Sequence, residues 1–183
     1  MRVITGSARG RRLKELQGMD TRPTTDKVKE GLFSVIQFDI EGRRVLDLFA
    51  GTGQLGIEAL SRGAASAVFV EKRPDALRLI RENLQVCDLA ENARVHAGDA
   101  LAYLQSGEKF DLIFLDPPYA SDLLEQALER IMAFDICRAH GIIVAESAAD
   151  KELPPAQAPY RLYREYRYGK IRLTIYHRDG NEE

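Results

Sequence analysis

The chain has 183 residues, of which 45 % are hydrophobic and 30 % are charged, as in an ordinary globular protein. This length fits one domain with a sizeable core, so we expect residues 1–183 to form a single domain. No apolar run approaches the ~20 residues of a membrane span, and the first residues lack the apolar core of a secretion signal. Two cysteines are too few for a disulfide framework or a zinc site. We therefore predict a cytoplasmic monomer without bound metal or membrane contact.

The formal net charge of −2 conceals a segregated distribution of charges. Residues 1–29 and residues 160–178 each carry a net charge of +5, whereas residues 30–159 carry a net charge of −9. Basic segments at both ends of an acidic body would suit an anionic polymer that is held beside a site for a cation. Charge alone leaves a second interpretation open, in which both basic segments are only solvated surface.

From residue 44 onwards, short runs of β-forming residues alternate with stretches of helical periodicity. Strands that alternate with crossover helices predict a mostly parallel sheet with helices on both faces, which is a doubly wound α/β fold. The predicted strands are residues 45–49, 67–71, 94–96, 110–115 and 142–146. The predicted helices between them are residues 54–62, 75–86, 100–105 and 123–132.

The two ends of the chain depart from this alternation. Residues 24–38 predict a helix that precedes the sheet. Residues 162–167 and 171–177 are rich in β-formers and flank Gly169, which predicts an antiparallel hairpin. We expect a basic N-terminal arm (1–22), an α/β core (23–159) and a C-terminal β-hairpin (160–178). The expected buried stripe of the first helix is Val28, Leu32, Val35 and Ile36.

A glycine-rich loop follows the first predicted strand and opens the next helix. Gly51, Gly53 and Gly56 satisfy the pattern G-x-G-x-x-G, and Glu71 lies twenty residues beyond Gly51, at the end of the second predicted strand. The glycines let a ligand approach the backbone, the helix start offers free N–H groups, and Glu71 can accept hydrogen bonds from ribose hydroxyls. NAD and S-adenosylmethionine would both use these features.

Asp47, four residues before Gly51, favours S-adenosylmethionine. A carboxylate beside a pyrophosphate would cost about 1 kcal/mol or more in repulsion, whereas it would attract an ammonium and a sulfonium. The alternative is an aspartate that only caps the turn. Asp99, after the third strand, could accept a hydrogen bond from an adenine amino group, cap the next helix, or do both. The candidate cofactor-binding residues are Asp47, Phe49, Gly51, Gly53, Glu71, Asp99 and Ala100.

The fourth predicted strand runs directly into an Asp-Pro-Pro-Tyr segment at 116–119. Two consecutive prolines form a rigid turn that has no local N–H groups, so the Asp116 carboxylate and the Pro117 carbonyl are held in fixed directions. These two acceptors can bind the two N–H groups of an aromatic amine, and Tyr119 can stack on its ring. Asp116, Pro117 and Tyr119 are therefore the candidate residues for amine methylation, although Asp-Pro-Pro is also an ordinary strand-ending turn. The sequence assigns no role to Glu146, after the fifth strand.

Taken together, these motifs resemble the bacterial 16S ribosomal RNA guanine-N2 methyltransferases. The resemblance covers Arg22-Pro23-Thr24, Glu30-Gly31-Leu32-Phe33, residues 45–63 and residues 116–119, in order and spacing. It implies a Rossmann-like class I methyltransferase fold of seven strands, S-adenosylmethionine as cofactor, and guanine 966 of the 16S RNA as target. It further implies 16S ribosomal RNA, or the assembling small ribosomal subunit, as partner. The Asp-Pro-Pro-Tyr element is shared with adenine-N6 DNA methyltransferases, so another amine remains an alternative.

The basic ends of the chain are the candidate RNA-binding surface. Two rivals to the methyltransferase hypothesis are an NAD-dependent oxidoreductase, from the glycine pattern, and a catalytically idle RNA-binding module that kept the fold. The intact segment at 116–119 argues against the idle module. The candidate RNA-binding residues are Arg9, Arg11, Arg12, Arg22, Arg167 and Lys170.

Overall fold

The computed structural model describes residues 1–17 and 25–180, and in this part of the chain seven strands form one sheet. The strands are β1 (Arg44–Asp47), β2 (Ser66–Glu71), β3 (Ala93–Ala97), β4 (Phe110–Leu115), β5 (Cys137–Ala148), β6 (Tyr160–Tyr168) and β7 (Ile171–Arg178). The helices are α1 (Asp26–Ile36), α2 (Gln54–Ser61), α3 (Pro74–Val86), α4 (Ala100–Tyr103) and α5 (Leu123–Phe134), with a 3₁₀ turn at Ala90–Asn92. None of these helices is long and apolar enough to cross a membrane.

The strand order is β3-β2-β1-β4-β5-β7-β6. The first five strands along the chain are parallel, and β7 is antiparallel to both β5 and β6. The prediction of a mostly parallel sheet that ends in an antiparallel hairpin is therefore confirmed. The chain moves outward from β1 to β3 and then returns to β4 on the other side of β1. Because the connections diverge there, a crevice opens at the carboxyl ends of β1 and β4.

Two apolar layers cover the faces of the sheet. Side chains of β4 alternate between them, so Phe114 joins the layer of α1, α2 and α3, and Ile113 joins the layer of α4 and α5. The aromatic ring of Phe33 on α1 packs against Phe114, with the ring centroids 5.6 Å apart. Both faces are therefore closed by helices, which leaves the ends of the strands as the place where polar loops meet.

The N-terminal segment, residues 1–17, packs on the outside of α2 and α3. Val3, Ala8 and Leu13 are buried in the same apolar layer as α1. The Glu58 carboxylate accepts a hydrogen bond from the Ile4 N–H at 2.9 Å, and Asn83 Oδ1 accepts one from the Lys14 N–H at 2.7 Å. The basic residues of this segment therefore start from a fixed position on the domain.

The structure extends the predicted stripe of α1. Val28, Leu32 and Ile36 are buried as expected, whereas Val35 is only partly buried, and Lys29 and Phe33 are buried as well. Lys29 is fully buried because its Nζ donates a hydrogen bond to the Arg2 carbonyl at 3.0 Å, a contact that periodicity does not reveal. Burial lowers the pKa of this lysine, and the charge of Glu58 opposes that effect. The predicted start of the helix at residue 24 lies outside the described residues.

Strand β5 begins five residues earlier than predicted. Cys137 pairs with Phe110, but Ile142 pairs with Leu112, so extra residues are accommodated by an irregularity in β5. His140 adopts a positive φ of +63° inside that irregularity. A bulge of this kind breaks the period of two on which the strand prediction depends. Helix α4 also differs, because it ends at Tyr103 instead of residue 105.

Asp135 fastens the C-terminal hairpin to the end of α5. It adopts a left-handed conformation, with φ +51°, and its carboxylate accepts hydrogen bonds from Arg178 Nε and Nη2, both at 2.7 Å. The Tyr160 hydroxyl donates a third hydrogen bond to it at 2.8 Å. These donors, Arg178 first, lower the pKa of Asp135 to about 2. The carboxylate thus joins both strands of the hairpin to the helical layer.

We predict that Asp135→Asn lowers the free energy of unfolding by about 1 kcal/mol near neutral pH, because asparagine tolerates the left-handed conformation but loses the charge that Arg178 faces. Since the folded-state pKa is depressed, this difference should be present above pH ~4 and should disappear as the pH falls toward 2. Denaturant unfolding at several pH values measures it. Asp179→Asn is the control, because its pair with Arg161 is more than half exposed on both sides. An equal effect of both variants would contradict the assignment.

Candidate active site

A cavity of about 730 Å³ lies at the carboxyl ends of β1, β2 and β4, at the point where the strand order reverses. The loops after β1, β2, β3 and β4 form its walls, and part of the N-terminal segment closes one side. This volume is in the range of small-molecule and cofactor sites. The position follows from the topology, since ligands of open α/β sheets bind outside the carboxyl ends of the strands at such a switch point.

Two carboxylates hold the glycine loop between β1 and α2. The Gly51 N–H donates to Glu71 Oε2 at 2.9 Å, and the Gly56 N–H donates to Asp47 Oδ2 at 3.0 Å. Within the loop, the Gly53 N–H donates to the Ala50 carbonyl at 2.7 Å. Gly51 and Gly53 have φ values of +56° and +83°, a backbone region that residues with a Cβ rarely adopt. The loop is therefore a rigid, internally bonded structure.

Asp47 is a buried acid whose side chain also lines the cavity. It is only 2 % exposed. Burial raises its pKa to about 7, the hydrogen bond from Gly56 opposes this shift, and the charge of Glu71 adds to it. A cation that entered the cavity beside Asp47 would favour the ionised carboxylate and would be held by it. The turn-capping alternative is also realised here, since Asp47 braces the start of α2 while facing the cavity.

Most of the charged side chains that line the cavity are acidic. Asp99 lies on the third wall, where its carboxylate accepts the Ala102 N–H at 2.9 Å and so caps α4. Lys72 and Arg73 are the basic residues among the described residues of the lining. An excess of carboxylates makes the cavity better suited to a cationic ligand than to one that carries phosphates. The carboxylates that line it are Glu15, Asp47, Glu71, Asp99 and Asp116.

The Asp-Pro-Pro-Tyr segment forms the wall of the cavity that faces the glycine loop. β4 ends at Leu115, so Asp116 is the first residue beyond the strand, and Pro117 and Tyr119 follow it along the cavity. Because β4 pairs directly with β1, Asp47 and Asp116 emerge from neighbouring strands. The Tyr119 hydroxyl donates a hydrogen bond to Glu146 Oε1 at 2.9 Å. The two motifs identified from the sequence therefore share one cavity.

Most of the candidate residues line this one cavity. All three residues proposed for amine methylation line the cavity, and six of the seven cofactor candidates line it as well. Gly53 does not line it. It precedes the first residue of α2, and a Cβ at this position would meet Ile57 and Ile80 of the apolar layer, so Gly53 serves the packing behind the loop.

The candidate RNA-binding residues that the structure describes lie on exposed surface. Arg9, Arg11 and Arg12 are exposed on the N-terminal segment, where Arg11 Nη1 donates to the Val86 carbonyl at 3.0 Å. Arg167 and Lys170 are exposed at the turn of the hairpin. Arg22 lies outside the described residues. The described residues of this group therefore lie in two segments, the N-terminal segment and the turn of the hairpin.

The N-terminal segment contributes residues to the cavity that were not predicted from the sequence. Met1, Glu15 and Leu16 line it. The amino group of Met1 forms an ion pair with Glu15 at 2.9 Å. No local pattern marks these residues, because they reach the cavity through long-range packing on α2 and α3. Lys72 and Arg73 were also missed, although their position directly after Glu71 is a signal that could have indicated them.

The same fold occurs in a solved structure described as "Putative methyltransferase yhhF from Escherichia coli", which superposes with a TM-score of 0.89 at 34 % identity and covers 99 % of both chains. Fold and cavity thus define a Rossmann-like methyltransferase. More narrowly, the chain belongs to the family described as conserved hypothetical protein 95, whose model matches residues 1–177.

Two relatives are similar over nearly their whole length. A Bacillus subtilis protein named "Putative rRNA methyltransferase YlbH" is 42 % identical over 184 residues, which cover 98 % of this chain and 100 % of that protein. The "Ribosomal RNA small subunit methyltransferase D" of Escherichia coli K12 is 35 % identical over 184 residues, which cover 100 % of this chain and 92 % of the relative. The resemblance found in the sequence is thereby confirmed at the level of the family.

We predict that, in the protein without bound ligand, Asp47 lowers the free energy of unfolding as the pH rises. Its folded-state pKa of about 7 lies above the ordinary value of 3.8, so the folded protein binds a proton that the unfolded chain releases. The contribution of this group to the free energy of unfolding should fall by up to about 1.4 kcal/mol per pH unit between pH ~4 and ~7.

Asp47→Asn should remove this dependence, since its amide oxygen can still accept the Gly56 N–H. Denaturant unfolding between pH ~5 and ~8 should therefore show the variant gaining stability relative to the wild-type protein as the pH rises. Asp122→Asn, at an exposed carboxylate outside the cavity lining, is the control. Parallel pH profiles for Asp47→Asn and wild type would show that Asp47 is ionised in the folded protein.

Proposed function

We propose that the protein transfers the methyl group of S-adenosylmethionine to the exocyclic N2 amine of a guanine in small-subunit ribosomal RNA. The observation that carries this proposal is that an acidic crevice for a cation and an Asp-Pro-Pro-Tyr segment for an amine open onto one cavity of about 730 Å³. A methyl transfer needs its donor and acceptor side by side. Neighbouring strands β1 and β4 supply that arrangement.

The residues of the crevice fit S-adenosylmethionine. Asp47, Glu71 and Asp99 lie at the ends of three neighbouring strands. Asp47 and Asp99 each accept one backbone hydrogen bond and retain further lone pairs. Glu71 accepts three, from Gly51 at Oε2 and from Lys72 and Arg73 at Oε1, which leaves a lone pair on Oε2 for a ligand. Asp47 would attract the ammonium group, Glu71 would accept hydrogen bonds from the ribose hydroxyls, and Asp99 would accept one from the adenine amino group. Phe49 and Ala100 would flank the ligand with apolar surface.

The same geometry argues against NAD. A pyrophosphate at a glycine loop needs free backbone N–H groups and the start of the following helix. Here the N–H groups of Gly51 and Gly56 already bind carboxylates, at 2.9 and 3.0 Å. A pyrophosphate would have to displace these bonds and lie beside Asp47 and Glu71. The glycine pattern is therefore better explained by a cationic cofactor.

When bound, S-adenosylmethionine supplies an electrophilic methyl group. The chain's residues would prepare the acceptor. The Asp116 carboxylate and the Pro117 carbonyl would accept the two N–H groups of the amine, which favours a more pyramidal nitrogen and directs its lone pair into the crevice. Tyr119 would stack on the extruded base. As the nitrogen forms its new bond it becomes acidic, and Asp116 is placed to take the proton that it loses.

The choice of substrate rests on the relatives. The Escherichia coli relative is named ribosomal RNA small subunit methyltransferase D, and the Bacillus subtilis relative is named an rRNA methyltransferase. The family resemblance implies guanine 966 of 16S RNA within the assembling small subunit. An adenine-N6 amine, or that of another base, remains the second candidate, because Asp116 and Pro117 recognise an amine rather than a particular ring.

The decisive experiment uses small-subunit RNA from a strain that lacks the gene. Mass spectrometry should find one N2-methylguanine missing, and the purified protein with S-adenosylmethionine should restore it on isolated subunits or on their RNA. Loss of an N6-methyladenine instead would select the second candidate. An unchanged set of methylated nucleotides would contradict the proposal.

We predict that Asp116→Asn lowers the rate of methyl transfer roughly hundredfold or more while the Kd for S-adenosylhomocysteine stays the same, because Asp116 faces the target amine rather than the cofactor. Single-turnover assays and calorimetry measure the two quantities separately. The matched control is Asp122→Asn, six residues further along and outside the cavity lining. Full activity of Asp116→Asn would remove this residue from the mechanism.

The exposed arginines of the N-terminal segment should bind RNA phosphates. We expect the triple variant Arg9→Gln, Arg11→Gln, Arg12→Gln to weaken RNA binding, with unchanged affinity for the cofactor. For every phosphate that these arginines no longer neutralise, the salt slope of binding should fall by ~0.9 for duplex and ~0.7 for single-stranded RNA.

RNA affinities at several salt concentrations test this expectation. Lys109→Gln with Arg138→Gln is the control, because these exposed cations lie at the amino ends of β4 and β5, away from the cavity. If the triple variant binds RNA with the same affinity and slope as the wild-type protein, the binding role moves to Arg167 and Lys170 on the hairpin.

A further inference from the structure

Glu146 is a buried acid at the carboxyl end of β5. It is 3 % exposed, and it pairs in register with Leu173 of β7, so the antiparallel hairpin covers it from one side. Glu146 is absent from the described residues that line the cavity. It lies directly behind that lining, however, because its carboxylate accepts the hydrogen bond of Tyr119 at 2.9 Å.

A carboxylate in this position is costly for folding unless it is paired. Burial of an ionised group is unfavourable, and replacement by an apolar side chain is often neutral or stabilising. The positions before it on the same face of β5, Ile142 and Val144, are apolar and belong to the layer of α1. Packing alone would therefore favour an aliphatic residue at 146 as well, and the hydrogen bond to Tyr119 is an effect that only a polar residue provides.

The tyrosine side chain is restrained at both ends, by the main chain at one end and by this hydrogen bond at the other. The main chain at Tyr119 follows Pro117 and Pro118, whose rings restrict the backbone. The phenolic oxygen at the other end of the ring is held by Glu146. A phenol has one proton to donate, and that proton is directed at Glu146, away from the cavity. Tyr119 is therefore held as a flat surface in the cavity wall, and the orientation of its ring is set from β5.

We propose that Glu146 is a positioning residue that orients Tyr119 for stacking on the target base. The inference rests on the proposed function, since it assigns Tyr119 the base as its stacking partner. Glu146 acts through Tyr119 and touches neither cofactor nor substrate. A fixed ring binds the extruded base without first losing rotational freedom, so the bond to Glu146 contributes to binding of the RNA substrate rather than to the chemical step.

The test compares Glu146→Gln, Tyr119→Phe and the double variant. Both single variants keep the shape of the side chain but weaken or remove the bond between the carboxylate and the hydroxyl. Tyr119→Phe removes the bond and should raise KM for the RNA substrate roughly tenfold, which corresponds to the loss of one hydrogen bond to a charged group. Glu146→Gln should raise KM by less, because its amide oxygen can still accept the hydroxyl proton. In both variants kcat should change less than about twofold. The Kd for S-adenosylhomocysteine should stay the same. The double variant should have the KM of Tyr119→Phe, because once the hydroxyl is gone the change at 146 has no bond left to weaken.

The chain supplies a matched control in Tyr103. Its hydroxyl donates a hydrogen bond to Glu108 Oε2 at 2.8 Å, and Tyr103 lies outside the main cavity lining. Tyr103→Phe should lower the melting temperature but leave KM unchanged. Glu146→Leu extends the series, since a leucine keeps the core apolar but cannot accept a hydrogen bond, and its KM should equal that of the double variant.

Three results would overturn the inference. Multiplicative effects in the double variant would show that the two residues act independently. A KM for Tyr119→Phe equal to that of the wild-type protein would show that the hydrogen bond to Glu146 does not contribute to RNA binding. This result would count even if Glu146→Gln fails to fold. Weaker binding of S-adenosylhomocysteine by Glu146→Gln would move the residue to the cofactor site. All variants are compared with the wild-type protein on an RNA that it methylates at a mapped base, so wild-type inactivity would count against the proposed function instead.

Discussion

The carboxylates of Asp47 and Glu71 accept the N–H groups at the two ends of the glycine loop, and the shape of the cavity depends on these two bonds. Asp47 connects β1 to α2, and Glu71 connects β2 to the loop beside it. Without them, Gly51 and Gly56 would offer the helix start to an anion, as glycine loops do in dinucleotide-binding proteins. With them, the backbone N–H groups are occupied, and the cavity faces acidic side chains instead. The charge that this loop presents to a ligand therefore favours a cation, whereas the same topology with free N–H groups would favour an anion.

The reversal of strand order brings the second motif to this loop. β4 returns to the side of β1 opposite β2, so residues separated by almost seventy positions in the chain become neighbours at the strand ends. Asp47 and Asp116 are placed by the pairing of β1 with β4, and Glu146 is placed by the pairing of β4 with β5. The acidic crevice, the Asp-Pro-Pro-Tyr wall and the buried carboxylate behind that wall thus follow one another across β1, β4 and β5.

The sequence predicted those features that arise from local pattern. Strand β4 has the predicted bounds, and Val28, Leu32 and Ile36 of α1 are buried as their spacing indicates. Features that arise from contacts between distant segments could not be predicted in this way. Glu15 reaches the cavity through the packing of its segment on α2 and α3, and Glu146 obtains a partner only because β4 and β5 are adjacent. Gly53 satisfies the glycine pattern, but the space beside it is filled by the apolar layer instead of by the cavity.

The packing of the N-terminal segment has a consequence for the order of folding. One wall of the cavity is made from Glu15 and Leu16, whose position depends on hydrogen bonds to residues that lie 54 to 69 positions further along the chain. Contacts of such long sequence separation form slowly, because the loop between them must first be closed. The segment must therefore wait, during synthesis, for α2 and α3 to emerge. The pairing of β1 with β4 spans a similar separation, so the wall and the centre of the sheet carry the same cost of loop closure, and the cavity is complete only when both have formed.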